Sequence, residues 1–235
     1  MRTIAGLLRA QRLHGPPDRA RVALVGQTAL LLGGDLVRLE VVVGPGATLE
    51  LSDIAATVAY HGRGQAARWH TTIRLDRGAR LRYAGQPLVV SDGAEVTRTL
   101  TVELAEDARA WIRETTVLGR AGERGGRLDA ETVLDRSGVE FSRERLVLAP
   151  DARDRPGVLA GIRVLDTVLA LGAADSPDAT ELPDGNPVAD SPDAEGRAPQ
   201  RPWCDRPDVV RYALLDSGST LTRFLGTSLA DSPLP

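Results

Sequence analysis

Gly62-Arg63-Gly64-Gln65-Ala66-Ala67 follows an apolar stretch with the spacing G-x-G-x-x-A, in which glycines let a backbone close on a pyrophosphate. Such a site needs a helix directly after the turn, because the helix N-terminus holds the phosphates. Here Ala67, Trp69, Thr71, Ile73 and Leu75 alternate with Arg68, His70, Thr72 and Arg74, which is the period of a strand. The segment therefore predicts a turn between strands and no nucleotide site. The three histidines, His14, His61 and His70, stand in none of the spacings that bring two imidazoles onto one metal, and Cys204 is the only cysteine. No G-x-S-x-G elbow occurs, and Ser217-Gly218-Ser219 has no histidine near it in sequence. All 29 basic residues are arginine, which removes the P-loop lysine, Schiff-base chemistry and any lysine general base. These residues predict no catalytic site, no enzyme and no tightly bound cofactor.

The elements around these residues read as a β scaffold. Val37, Leu39, Val41 and Val43 share one face of a strand, with Arg38 and Glu40 on the other, before Gly44-Pro45-Gly46 forces a turn. GPGATLEL at 44–51 returns as DRGARLRY at 76–83 and as AEDARAWI at 105–112. Each unit is strand, tight turn, alanine, strand, and a spacing of about 30 residues between units is that of stacked supersecondary repeats. Ser91-Asp92-Gly93-Ala94 adds another turn of this kind, and further strands are predicted near 128–134 and 139–148. The predicted fold class is mainly β, an elongated β-helix-like body of stacked sheets with a small C-terminal α part.

Three regions are predicted: a body over 1–172, an acidic proline-rich linker over 173–202, and a C-terminal segment over 203–235 that packs back on the body. The linker holds six of the fifteen prolines and seven acidic residues, and ADSPDA occurs in it twice, a composition expected to be disordered. Helix-compatible apolar spacing over 158–171 suggests a helix there, and 208–225 suggests a short helix or strand. With 235 residues the chain can bury a substantial core. A net charge of −3 with 3% aromatic residues gives nucleic-acid binding little to work with. No run approaches the roughly eighteen apolar residues of a membrane span. The apolar patch in MRTIAGLLRAQRLHG is too short for a secretory leader, and a single cysteine suits a reducing compartment, so a cytoplasmic location is expected.

Several segments then carry a resemblance. LLLGGDLVRLEVVVGPGATLELSDIAATVAY is similar to the core segment of the urease accessory protein UreD (UreH) family. Gly33-Gly34-Asp35 match its GGD, Gly46-Ala47 its glycine-alanine turn, and Ala56, Thr57 and Tyr60 the segment that follows. Gln86 and Gly93-Ala94 in YAGQPLVVSDGA, then WIRETTVLGRAGE and FSRERLVL, resemble later motifs of the same family. Val58 stands where the family usually has lysine, and GQTALLL stands in place of HPPGG, so the chain looks like a divergent, short member.

The resemblance implies a β-helix-like scaffold with a small helical part that serves urease maturation by nickel insertion. It implies the urease apoprotein and UreF as partners, the GTPase UreG through UreF, and nickel as transient cargo. Carried over onto this chain, the candidate nickel-conduit residues are Asp35 of the GGD, Glu114 of WIRE and Glu144 of SRERL. The competing readings are a β solenoid that binds carbohydrate or another ligand with no metal role, and a structural interaction module. A sugar-processing groove needs paired carboxylates among aromatic side chains, and few aromatics are present.

Overall fold

The computed structural model describes residues 7–151, 154–155, 159–172, 207–216 and 218–234; the linker expected over 173–202, and Cys204, lie outside these. Fifteen strands form two sheets among the described residues. The small sheet has the order β12-β11-β9-β6-β3, where β3 is Leu36–Val43, β6 Ala67–Leu75, β9 Glu95–Leu104, β11 Arg127–Arg136 and β12 Val139–Leu148. The large sheet runs β1-β2-β4-β7-β10-β13-β15-β14. Its strands are β1 Leu8–Leu13, β2 Ala20–Gly26, β4 Thr48–Asp53, β7 Arg80–Ala84, β10 Arg109–Leu118, β13 Val164–Leu171, β14 Val209–Ala213 and β15 Thr220–Gly226. Two short strands, β5 (Thr57–Ala59) and β8 (Leu88–Val90), pair with each other, and β8 also pairs with β10.

Three times the chain crosses the small sheet, turns, and crosses the large one: β3 to β4, β6 to β7, β9 to β10. Like strands stack in parallel, β3 on β6 on β9 and β4 on β7 on β10. The repeated glycine-alanine turns are the corners of this solenoid. They bond to one another, Gly46 N donating to Arg77 O, Arg80 N to Ala47 O and Arg109 N to Ala79 O at 2.9 to 3.0 Å. Alanine recurs because the corner points inward: Ala79 and Ala108 are buried against the layer above or below, where a longer side chain would push the coils apart. The Ser91–Ala94 turn belongs to a second stack of corners at the opposite edge, where Gly62 N donates to Gly93 O and Arg127 N to Ala94 O. In that stack Gly62, the first glycine of the G-x-G-x-x-A segment, packs against Gly33 of the preceding coil. A Cβ on Gly33 would stand 2.4 Å from Gly62 O, and one on Gly62 2.0 Å from Gln65 O. The coil ends where Arg136, at the end of β11, donates to the carbonyls of Ala105 and Glu106 and pairs with Asp216 at 2.8 Å.

One element differs from its sequence reading. The segment expected as a helix over 158–171 contains β13, and the described part of the C-terminal region adds two more strands and a single 3-10 turn at Leu229–Asp231. No C-terminal α part is seen among the described residues. The physical reason is burial on both faces. Seven of the eight residues of β13 are buried, because it lies between β10 and β15, with the small sheet on one side and Phe224 and Leu234 on the other. Apart from Asp166 and Thr167 the strand is apolar on both faces, and a short, largely apolar run fits helix and strand alike. No helix among the described residues is long and apolar enough to cross a membrane.

Candidate functional site

Strand alternation turns one side chain in two toward the space between the sheets. Most of these are apolar, and they fall into two clusters. One, near the glycine-alanine corners, contains Leu51, Ile73, Leu100, Ile112, Leu134 and Leu169. The other, near the second stack of corners, contains Val37, Trp69, Val96, Leu118, Leu128 and Leu165. Between them the inward positions turn polar in strand after strand: Asp53 on β4, Thr71 on β6, Arg98 on β9, Glu114 on β10, Thr132 on β11, Glu144 on β12, Thr167 on β13 and Arg223 on β15. A polar band therefore crosses the interior from one side of the body to the other.

Two ion pairs span the band from sheet to sheet. Arg98 of the small sheet meets Glu114 of the large one at 2.5 Å, each side chain less than one-fifth exposed. Glu144 of the small sheet meets Arg223 of the large one in a two-bond contact at 2.7 and 2.9 Å. Arg223 also donates to Thr167 Oγ1 at 2.9 Å. Both pairs line a cavity of about 50 Å³, together with Thr116, Thr132 and Thr167. That volume admits a water-sized guest among hydroxyl and carboxylate oxygens.

Asp53 carries the band toward the surface. It accepts hydrogen bonds from Tyr83 Oη, at 3.3 Å, and from Gln86 N, at 3.1 Å. Burial pushes its carboxyl above the ordinary value against these bonds, with Arg98 pulling the other way and Glu114 adding to the rise. Burial likewise raises the Tyr83 phenol well above its usual range, so it stays a proton donor. Asp53 also forms part of the wall of an open pocket of about 270 Å³ with Leu24, Leu30, Ile54, Thr57 and Tyr60. Pocket, Asp53, Arg98–Glu114 and Glu144–Arg223 thus follow one another through the body.

The structure brings two of the three candidate residues together. Glu114 and Glu144 line the same cavity. Asp35 stands apart in the turn before β3, where its carboxylate accepts from Leu32 N at 2.9 Å. Asp53 was absent from the sequence reading, although a signal for it exists: Leu49, Leu51 and Asp53 share one parity in TLELSD, which places a carboxylate on the apolar face. The arginine partners had no such signal, since nothing local links Glu114 to Arg98 or Glu144 to Arg223.

A sequence profile of the UreD urease accessory protein family matches residues 3–229. The chain belongs to the UreD family. Among its relatives, Urease accessory protein UreD 1 of Streptomyces griseus subsp. griseus is 49% identical over 66% of this chain and 61% of its own length. Urease accessory protein UreD 1 of Saccharopolyspora erythraea is 44% identical over 62% of this chain and 58% of its own length. The UreD of Streptomyces coelicolor is 35% identical over 75% and 72%. The chain thus spans about three-fifths of the length of the first two relatives. Membership in the UreD family agrees with the motifs at 33–35, 46–47 and 111–123, which fall in corners and inner strands of the solenoid.

Proposed function

We propose that this chain is a non-catalytic scaffold for urease maturation, needed for nickel insertion, which binds the urease apoprotein and UreF and reaches the GTPase UreG through UreF. It works in the cytoplasm. It holds no tight cofactor, and nickel is its transient cargo. The observation that carries the reading is the polar band, in which Asp53, Glu114 and Glu144 form a row of carboxylates through an apolar interior. Family membership and the relatives' description as urease accessory proteins supply the context.

The chemistry of the row suits passage. Carboxylate and hydroxyl oxygens bind a divalent nickel ion weakly compared with sets of imidazole and thiolate, and a conduit requires weak sites. Arg98 and Arg223 stand where the cation would stand. As long as each guanidinium holds its glutamate, the local charge is balanced and a second cation is unfavourable. Transfer therefore requires each arginine to swing aside as nickel arrives, so that the carboxylate exchanges a guanidinium for the divalent ion. GTP hydrolysis, in this reading, belongs to the partner.

The test is co-expression of urease with its accessory proteins, with and without this chain, reading urease-bound nickel by elemental analysis and complex formation by co-purification. Nickel loading that depends on the chain supports the proposal. Equal loading without it ends the proposal.

A further inference from the structure

The outer faces of the two sheets treat their arginines differently. On the small sheet Arg74 sits between Glu40 and Glu103 at 2.9 and 2.8 Å, and Arg145 holds Asp129 at 2.7 Å. On the large sheet β7 and β10 run in parallel register with Arg80 beside Arg109 and Arg82 beside Trp111. Alternation points all four outward, since Leu81, Tyr83, Ala110 and Ile112 between them are buried. Among the described residues Arg80, Arg82 and Arg109 form no salt bridge, although Arg82 lies in the field of Glu50. The Arg82 guanidinium lies 4.6 Å from the Trp111 ring centre, and its buried Nε finds no acceptor. Glu50, next to Arg82 in register, is already held by Arg19 and Arg21.

Like charges side by side on neighbouring strands destabilise a sheet. The small sheet interleaves glutamates around Arg74, and although among the described residues Arg38 and Arg68 there also lack an ion pair, they are not opposite each other in register, whereas Arg80 and Arg109 are. We propose that the outward face of β7 and β10, centred on Arg80, Arg82, Arg109 and Trp111, docks an acidic polypeptide segment of a partner protein. Carboxylates pair with the exposed guanidinia of Arg80 and Arg109, and the Arg82–Trp111 stack provides a flat, amphipathic seat. Arg80 and Arg82 are two residues apart on one strand, about 6.6 Å, which matches alternate side chains of an extended segment. A continuous polyphosphate is disfavoured, because Arg19 and Arg21 are spent on Glu50 and Arg113 on Asp166, which limits the unpaired positive charge of the patch to a short footprint. The surface stands whether or not a cation crosses the interior.

The experiment uses the isolated full chain and a fluorescein-labelled twelve-residue peptide of alternating glutamate and serine, with fluorescence anisotropy read at low and moderate salt. Arg80→Ala with Arg109→Ala, both at exposed positions, is expected to weaken binding about tenfold and to flatten its salt dependence. Arg74→Ala with Arg145→Ala on the other face is expected to change nothing. The proposal is overturned if the peptide does not bind, if both double variants lose affinity equally, or if oligouridylate binds more tightly through the same arginines. It is overturned too if neutralising Asp175, Asp178, Glu181 and Asp184 tightens peptide binding tenfold, which would assign the face to the chain's own acidic stretch. Thermal melting of each variant checks the fold, and the Gln forms of Arg80 and Arg109 replace the Ala forms if these melt early.

Discussion

Glu144 on β12 and Arg223 on β15 reach across the interior from opposite sheets and meet at 2.7 Å, repeating with the charges exchanged the contact of Arg98 on β9 with Glu114 on β10. One glutamate comes from each sheet, and so does one arginine. The sheets are thereby tied together at the level where the two apolar clusters meet. Removing one member of a largely buried pair leaves its partner charged and unsatisfied, whereas removing both leaves only a packing defect.

Arg98→Met is expected to destabilise the protein by about 2–3 kcal/mol. Arg98→Met combined with Glu114→Gln is expected to recover most of that loss. Urea unfolding of the two single variants and the double variant closes the cycle. If the single changes simply add, the pair is not coupled and the two ties are incidental.

Glu114→Gln and Glu144→Gln keep the shape and hydrogen-bonding capacity of the band and remove its negative charge. Each is expected to lower urease-bound nickel severalfold in the co-expression assay, with the complex still recovered by co-purification. Asp35→Asn, in its turn outside the band, is expected to leave nickel unchanged. A complex that falls apart in the band variants would make the glutamates structural. Equal nickel loss with Asp35→Asn would take the specificity away from the band.

The Asp53 carboxyl is raised by burial above its ordinary 3.8, so the folded chain holds this proton more tightly than the unfolded chain does. Its contribution to stability is then largest below 3.8 and is lost as pH rises through the folded value. Asp53→Asn keeps an acceptor for Tyr83 and Gln86 and has no proton to lose. The stability of Asp53→Asn relative to the natural chain is expected to increase as pH goes from about 3 to about 7. Chemical unfolding at several pH values measures it, and a difference that stays constant would remove the desolvation argument.

Gly62→Ala is expected to cost about 2 kcal/mol, because its Cβ would stand 2.0 Å from the backbone oxygen of Gln65 and the Gly62–Gln65 turn would have to open. Gly44→Ala, at the opposite corners, meets no atom within 4 Å and is expected to be near neutral. In a chain of this size the first change lowers the melting temperature by roughly 4–8 °C. Equal melting of the two variants would show that this turn yields readily.

Much of the fold is visible in local pattern. Strand alternation marks Leu36–Val43 and Ala67–Leu75, and the recurring alanine after each turn marks the solenoid corners, because period and turn chemistry are properties of neighbours in sequence. The helix reading of 158–171 failed for the matching reason. What makes Val164–Leu171 a strand is β10 and β15 on either side of it, and its own residues, largely apolar on both faces with one polar residue on each, retain no period to read. The candidate site divides along the same line. Glu114 and Glu144 are found through motif resemblance, and Asp53 by parity. The meeting of Glu114 with Arg98, 16 positions away, and of Glu144 with Arg223, 79 positions away, depends on how one sheet is laid over the other. Local periodicity fixes which face a side chain takes. Which charge it then meets is set by the register between sheets, and that register is decided only when both apolar clusters are packed.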